Sequence, residues 1–180
     1  MRVITGFARG KRLQTLEGED VRPTTDKVKE GLFSAIQFEI EGRAVLDLFA
    51  GSGQLGIEAL SRGAEKCLFV DKSSRAIGVV ESNLKNTGLL EKARIINKDY
   101  ASFLSATAEK FDIAFLDPPY KAGLLADALE KVAQKMNRGG VIVCESPKEL
   151  SLPQTAGELG LFREYKYGRI KVSVYRFKEE

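Results

Sequence analysis

The chain has no histidine, and only two cysteines and five prolines among its 180 residues. Without histidine there is no imidazole base, no Ser-His-Asp or Cys-His nucleophile, and none of the common histidine-containing zinc sites. Any chemistry must rest on carboxylates, backbone groups, hydroxyls or a cofactor, and no metal is expected. Cys67 and Cys144 lie in the apolar runs "KCLFVD" and "GVIVCE". Both are expected as buried thiols of a reducing compartment, neither disulfide-bonded nor metal-bound. No apolar run approaches the roughly 20 residues of a membrane span. The opening "MRVITGFARGKRL" lacks the apolar core of a secretory signal. A cytoplasmic protein with no membrane partner is therefore expected.

Formal net charge is only +3, but it is unevenly placed. Residues 1–12 carry Arg2, Arg9, Lys11 and Arg12 with no acid, and the acidic stretch "EGED" follows at 17–20. On charge alone this is either a solvated basic end or an arm that contacts phosphates.

From residue 43 onward apolar strands alternate with helices. Strands are predicted over 43–49, 66–71, 93–99, 111–117 and 140–145, and helices over 53–62, 73–87 and 122–137. Strands with such continuous apolar runs belong in a parallel sheet covered on both faces. Ser73 or Ser74 suits the N-cap of the second helix and Gly88 its C-terminal stop. Near the end, "LGLFREYKY" and "IKVSVYRF" flank Gly168-Arg169, the pattern of an antiparallel hairpin at the sheet edge. Before the sheet come a small β-like segment (2–16) and a helix after "RPTT" with Val28, Leu32 and Ile36 on one stripe. The expectation is one α/β domain over 1–180, with an N-terminal appendage and helix at 1–42 and a core at 43–180.

"DLFAGSGQLG" places Gly51, Gly53 and Gly56 between a strand and a helix. Such a loop lets backbone approach a ligand closely and leaves helix N–H groups free to bind it. Asp71 ends the next predicted strand, where a carboxylate can accept both hydroxyls of a ribose. Asp99 ends the third, so Asp47, Asp71 and Asp99 close three neighbouring strands. An NAD site would expect a substrate domain and an acid–base residue, and Asp47 would repel a pyrophosphate. The same charge favours an ammonium, so the carboxylates favour a sulfonium amino-acid nucleoside.

With "FVDKS" and the terminal hairpin, "LDLFAGSGQLGIEALSRGA" resembles the class I S-adenosylmethionine-dependent methyltransferases. That resemblance implies a Rossmann-like sheet of seven strands, the last antiparallel, over about residues 43–177. It further implies that Asp47, Phe49, Ala50, Gly51, Ser52 and Gly53 surround the methionine end of S-adenosyl-L-methionine. Asp71, with Lys72 beside it, would hold the ribose, and Asp99 and Tyr100 would flank the adenine.

The fourth predicted strand runs into Asp117-Pro118-Pro119-Tyr120. Two prolines end a strand, since neither has an N–H and both fix φ, but strand termination alone does not require the flanking Asp and Tyr. An exocyclic amine on a base is a weak nucleophile because its lone pair is delocalised. Asp117 and the Pro118 carbonyl would accept its two N–H bonds, Pro119 would stiffen the corner, and Tyr120 would offer a stacking face. The motif resembles the (Asp/Asn)-Pro-Pro-Tyr signature of amino-group methyltransferases.

The segment "MRVITGFARGKRLQTL…VRPTTDKVKEGLFSAI" resembles the start of small bacterial enzymes that methylate guanine N2 in 16S ribosomal RNA. The family implies a cytoplasmic enzyme acting on 16S rRNA, within a small ribosomal subunit or assembly intermediate, with no obligate protein partner. Arg9, Lys11, Arg12, Arg22, Thr24 and Lys27 would face the RNA. The alternatives are a DNA adenine-N6 or other amino methyltransferase, against which stands the lack of a target-recognition domain, and a binding module without turnover.

Overall fold

Strands with no polar face cannot lie against water, and this chain covers both sides of them. The computed structural model describes residues 1–17 and 24–179. Its strands are β1 (Ala44–Asp47), β2 (Lys66–Asp71), β3 (Ala93–Asn97), β4 (Phe111–Leu116), β5 (Met136–Pro147), β6 (Thr155–Ala156), β7 (Leu159–Tyr167) and β8 (Ile170–Phe177). The helices are α1 (Asp26–Ala35), α2 (Gln54–Ser61), α3 (Ser74–Thr87), α4 (Tyr100–Ala106) and α5 (Leu124–Ala133). One sheet results, in the order β3-β2-β1-β4-β5-β8-β7-β6. β1 to β5 run parallel; β8 pairs antiparallel with β5, β7 with β8 and β6 with β7, so β8 and β6 oppose the first five strands and β7 runs with them.

Alternate strand residues feed two apolar layers. Val45, Phe69, Ile113, Phe115 and Val143 pack with α1, α2 and α3. Leu46, Leu68, Val70, Ala114 and Ile142 pack with α4 and α5 on the opposite face. The Rossmann-like class I methyltransferase fold expected from sequence is the fold observed, with the two-residue β6 as an added edge strand.

Local chemistry accounts for most boundaries. Thr25 caps α1 by accepting from the Val28 N–H, and Ser73 caps α3 by accepting from the Ala76 N–H. Gly88 ends α3 at φ +74°. Among the boundaries that differ from expectation, two have a clear cause. The helix predicted over 122–137 stops at Ala133, because Met136 already pairs with Phe111 and the Gly139-Gly140 step forms an irregularity inside β5. Likewise β3 ends at Asn97, and Asp99 caps α4 by accepting from the Ser102 N–H. Both cysteines are buried and free. Among the described residues no helix is long and apolar enough to cross a membrane.

The N-terminal segment closes on itself through an antiparallel bridge between Arg2 and Arg12, then docks on α2. The Glu58 carboxylate accepts from the Ile4 and Thr5 N–H groups at 2.8 and 3.1 Å. It also accepts from Arg62 Nε at 2.9 Å and lies 3.5 Å from Lys29 Nζ. Lys29 and Glu58 are fully buried, and burial holds the Lys29 ammonium below its usual pKa against the pull of Glu58. Ser61 adds to the dock, accepting from the Ala8 N–H and donating to the Thr5 carbonyl.

Removing one partner of a buried ion pair leaves a charge without compensation, typically a loss of about 3–5 kcal/mol. Glu58→Ala is expected to lower unfolding stability by about that amount in urea titrations and to expose residues 1–13 to proteolysis. A variant with wild-type stability and protease resistance would show that Glu58 does not anchor the segment.

Candidate active site

Parallel register brings the carboxyl ends of β1, β2, β4 and β5 to one edge of the sheet. Four acids follow from it: Asp47, Asp71, Asp117 just beyond β4, and Glu145 within β5.

The loop after β1 forms the floor. Gly51 and Gly53 sit at φ +57° and +82°, conformations that residues with a Cβ rarely adopt. Gly53 occupies the N-cap of α2 without a side-chain cap, so helix N–H groups remain available to a ligand. Gly56 serves packing instead: a Cβ there would lie 2.3 Å from the Phe69 ring. Ala50 is buried and donates its N–H to the Val70 carbonyl at 3.0 Å. Ser52 is nearly buried, with its hydroxyl 3.9 Å from Met1 Sδ.

Asp47 is 1% exposed and accepts from the Gly56 N–H at 3.0 Å. Burial pushes its carboxyl up to about 7, the Gly56 hydrogen bond opposes this, and the charge of Asp71 adds to it. Asp71 accepts from the Gly51 N–H at 2.9 Å through one oxygen and from the Ser73 N–H at 2.9 Å through the other. Each oxygen keeps a lone pair for a ribose hydroxyl. Lys72, beside it, is exposed. Phe49 and Tyr100 lie 5.4 Å apart between centroids at 48°, forming a tilted aromatic pair. The Tyr100 hydroxyl donates to Asp127 at 2.6 Å, and that bond is the main reason its pKa is pushed up to about 12. Asp99 is held below the usual carboxylate range by the Ser102 N–H it caps. A nucleoside with an ammonium tail fits this donor set: free helix N–H groups, two carboxylates and an aromatic pair.

At the end of β4, Asp117 is partly buried, Pro118 is buried, and Pro119 and Tyr120 are exposed. Tyr120 keeps 44% of its surface accessible, enough for a face on which a planar group can stack. Asp117 lies well above the usual carboxylate range, first through burial and then through the charges of Glu145 and Asp47. Thr24 was expected at an RNA surface. It is instead 4% exposed, and its hydroxyl donates inward to Glu145 at 2.8 Å, with Asp117 at 3.4 Å.

Arg9, Lys11, Arg12 and Lys27 are exposed on the N-terminal segment and α1. Arg22 lies outside the described residues, as does Pro23. Sequence reasoning did not single out Glu145 or Phe7. Glu145 ends the apolar run "GVIVCE" as Asp117 ends "FDIAFLD", so an acid closing a fifth strand was the available signal. Phe7 is 82% exposed at the turn of the basic segment, and an aromatic among cations was its signal.

The chain is similar to known proteins along nearly its whole length. The family model described as "Conserved hypothetical protein 95" matches residues 1–176. The Bacillus subtilis (strain 168) protein YlbH is 45% identical over 181 residues, covering 98% of each chain. Ribosomal RNA small subunit methyltransferase D of Escherichia coli (strain K12) is 34% identical over 180 residues, covering 98% of this chain and 89% of that one. The solved structure of Escherichia coli yhhF superposes with a TM-score of 0.87 at 31% identity, covering 100% of this chain and 99% of that one. The donor set of this site fits S-adenosyl-L-methionine, the cofactor expected from the sequence. With a match that runs through nearly all of its length, the chain belongs to the conserved hypothetical protein 95 family, S-adenosylmethionine-dependent methyltransferases of the ribosomal RNA small subunit methyltransferase D type.

Proposed function

We propose that this chain methylates the exocyclic N2 amine of a guanine in 16S ribosomal RNA, within a small subunit or assembly intermediate. The observation that carries the reading is the Asp117–Tyr120 corner on β4, the strand next to β1, whose loop forms the cofactor floor. An acceptor pair and an aromatic face therefore stand beside the methyl donor. The 34% identity to a ribosomal RNA small subunit methyltransferase supports the RNA class.

S-adenosyl-L-methionine supplies an electrophilic methyl on a sulfonium. The chain's own residues do the rest by placement. The Gly51–Gly53 loop and Asp71 hold the nucleoside, and Asp47 faces its ammonium end. Asp117 and the Pro118 carbonyl accept the two N–H bonds of the amine, which localises the nitrogen lone pair on the line to the methyl group. Tyr120 stacks on the base, and a base must first be splayed out of an RNA loop to reach it. Residues 1–42 form the RNA-facing appendage, with Arg9, Lys11, Arg12, Arg22 and Lys27 meeting phosphates and Phe7 offering a stacking surface.

Label from S-adenosyl-L-methionine is expected to enter rRNA of undermethylated small subunits and to be recovered as N2-methylguanosine on nucleoside mass spectrometry. Label found only in DNA adenine would favour the adenine-N6 alternative instead. Asp117→Ala should lower turnover by about 10²-fold or more, the scale of losing one oriented charge-stabilising group, with cofactor affinity held within several-fold.

The Arg9→Ala, Arg12→Ala double variant should weaken RNA binding and flatten its salt dependence by about one unit per lost phosphate contact. Cofactor affinity should not move. An unchanged RNA salt slope would return these residues to a merely solvated basic end.

A bound ammonium favours ionised Asp47, so binding below about pH 7 must release its proton. Cofactor affinity is therefore expected to rise as pH increases towards 7 and to level off above it. Asp47→Asn should remove its share of that slope in calorimetric titrations.

A further inference from the structure

The site contains a buried carboxyl that the methyl-transfer geometry above does not use. Glu145 is 6% exposed, on β5 directly beside β4, which runs into Asp117. One hydroxyl, Thr24 Oγ1, lies 2.8 Å from Glu145 and 3.4 Å from Asp117, so the two carboxyl groups face each other across a single donor. Two ionised carboxylates at this separation, out of water, repel strongly, and one proton shared between them removes the repulsion.

We propose that Asp117 and Glu145 work as a carboxyl pair holding one proton, in which Glu145 is the positioning residue that presents Asp117 to the amine. Thr24 donates to Glu145, and the one proton lies between Glu145 and the near oxygen of Asp117. The other Asp117 oxygen is left free to accept the substrate N–H. During transfer the nitrogen lone pair forms the new N–C bond, and the C–S bond breaks with its electrons going to sulfur. The amine proton then passes to the free Asp117 oxygen. The pair briefly holds two protons and returns one to water.

The groups that face the pair agree with one retained proton. Asp47, from β1, adds a further negative charge to Asp117. Thr24, from the segment leading into α1, is the hydroxyl donor to both. Val172 of β8 lies opposite Glu145 in the register and brings no charge. Burial raises both carboxyls, and among the described residues no cation contributes to either.

The inference rests on the methyl-transfer reading, so its test has one arm that needs turnover and one that does not. Without substrate, infrared titration of the protein should show a protonated-carboxyl band that persists to neutral pH. Part of it should be lost in both Asp117→Asn and Glu145→Gln, separately from the part that Asp47→Asn removes. With rRNA substrate, kcat should follow a bell in pH, falling on the acid side as the pair fills and on the alkaline side as it empties. Glu145→Gln keeps a hydrogen-bond donor to Asp117 but cannot ionise. It should abolish the alkaline limb and leave the acid limb near that of the wild type, because the like charge opposes only the loss of the last proton. Glu145→Ala should lower kcat by about 10- to 100-fold, the factor carried by a lost hydrogen bond to a charged group, with the cofactor KM unchanged. Glu145→Gln should recover most of that loss.

Thr24→Val is the second probe if Glu145 variants fold poorly. Losing its hydroxyl should shift both limbs to higher pH, and Thr24→Ser should restore them. Superimposable pH profiles for wild type and Glu145→Gln, or an infrared band untouched by Glu145→Gln, would overturn the pair. A band that responds as expected in a protein that methylates no RNA would keep the shared proton but defeat the methyl-transfer reading.

Discussion

Carboxyl groups crowded into one poorly solvated edge are the constraint around which this molecule is organised. Parallel strands with continuous apolar runs must be covered on both faces, and that covering pulls their carboxyl ends away from bulk water. Asp47, Asp117 and Glu145 then repel one another in a medium that screens poorly. The chain answers with groups of the right polarity. The Gly56 N–H reaches Asp47, the Gly51 and Ser73 N–H groups reach Asp71, and the Thr24 hydroxyl reaches Glu145. What remains is a concentration of negative charge that a sulfonium with an ammonium tail relieves. Cofactor preference is thus an electrostatic consequence of how the strands end.

The same helix that follows the glycine loop carries the anchor for the N-terminal segment. Glu58 gathers two backbone N–H groups, one guanidinium and one buried ammonium on a single carboxylate. Its neighbour Ser61 holds the turn that presents Phe7. Asn83 on α3 joins Gln14 to Ser52, so the end of the segment is tied to the cofactor loop itself. The RNA contacts proposed for this segment would therefore share one support with the glycine loop. A substrate-facing surface fixed in this way loses little conformational entropy on binding.

Much of this is legible in the sequence. Apolar runs of strand length, broken by Gly and Ser at helix ends, identified β1 to β5, α2 and α3, because those signals are local. The failures share one cause. The helix expected to reach residue 137 gave way to a strand because Met136 finds Phe111 across the sheet, a partner 25 positions away. Asp99 became the cap of a short helix, α4, whose seven residues are too few to show a period.

For the site, residue types and spacing alone determined the glycine loop, the acids at strand ends and the rigid Asp-Pro-Pro-Tyr corner, since each depends on a few adjacent residues. Their resemblance to methyltransferase motifs pointed to the chemistry as well. Only the tertiary structure decided which groups meet. Thr24 and Glu145 are 121 positions apart yet joined at 2.8 Å, and neither position advertises the other. Pairing of that kind is settled by sheet order and helix docking, which sum many weak long-range contacts that no single stretch of sequence contains.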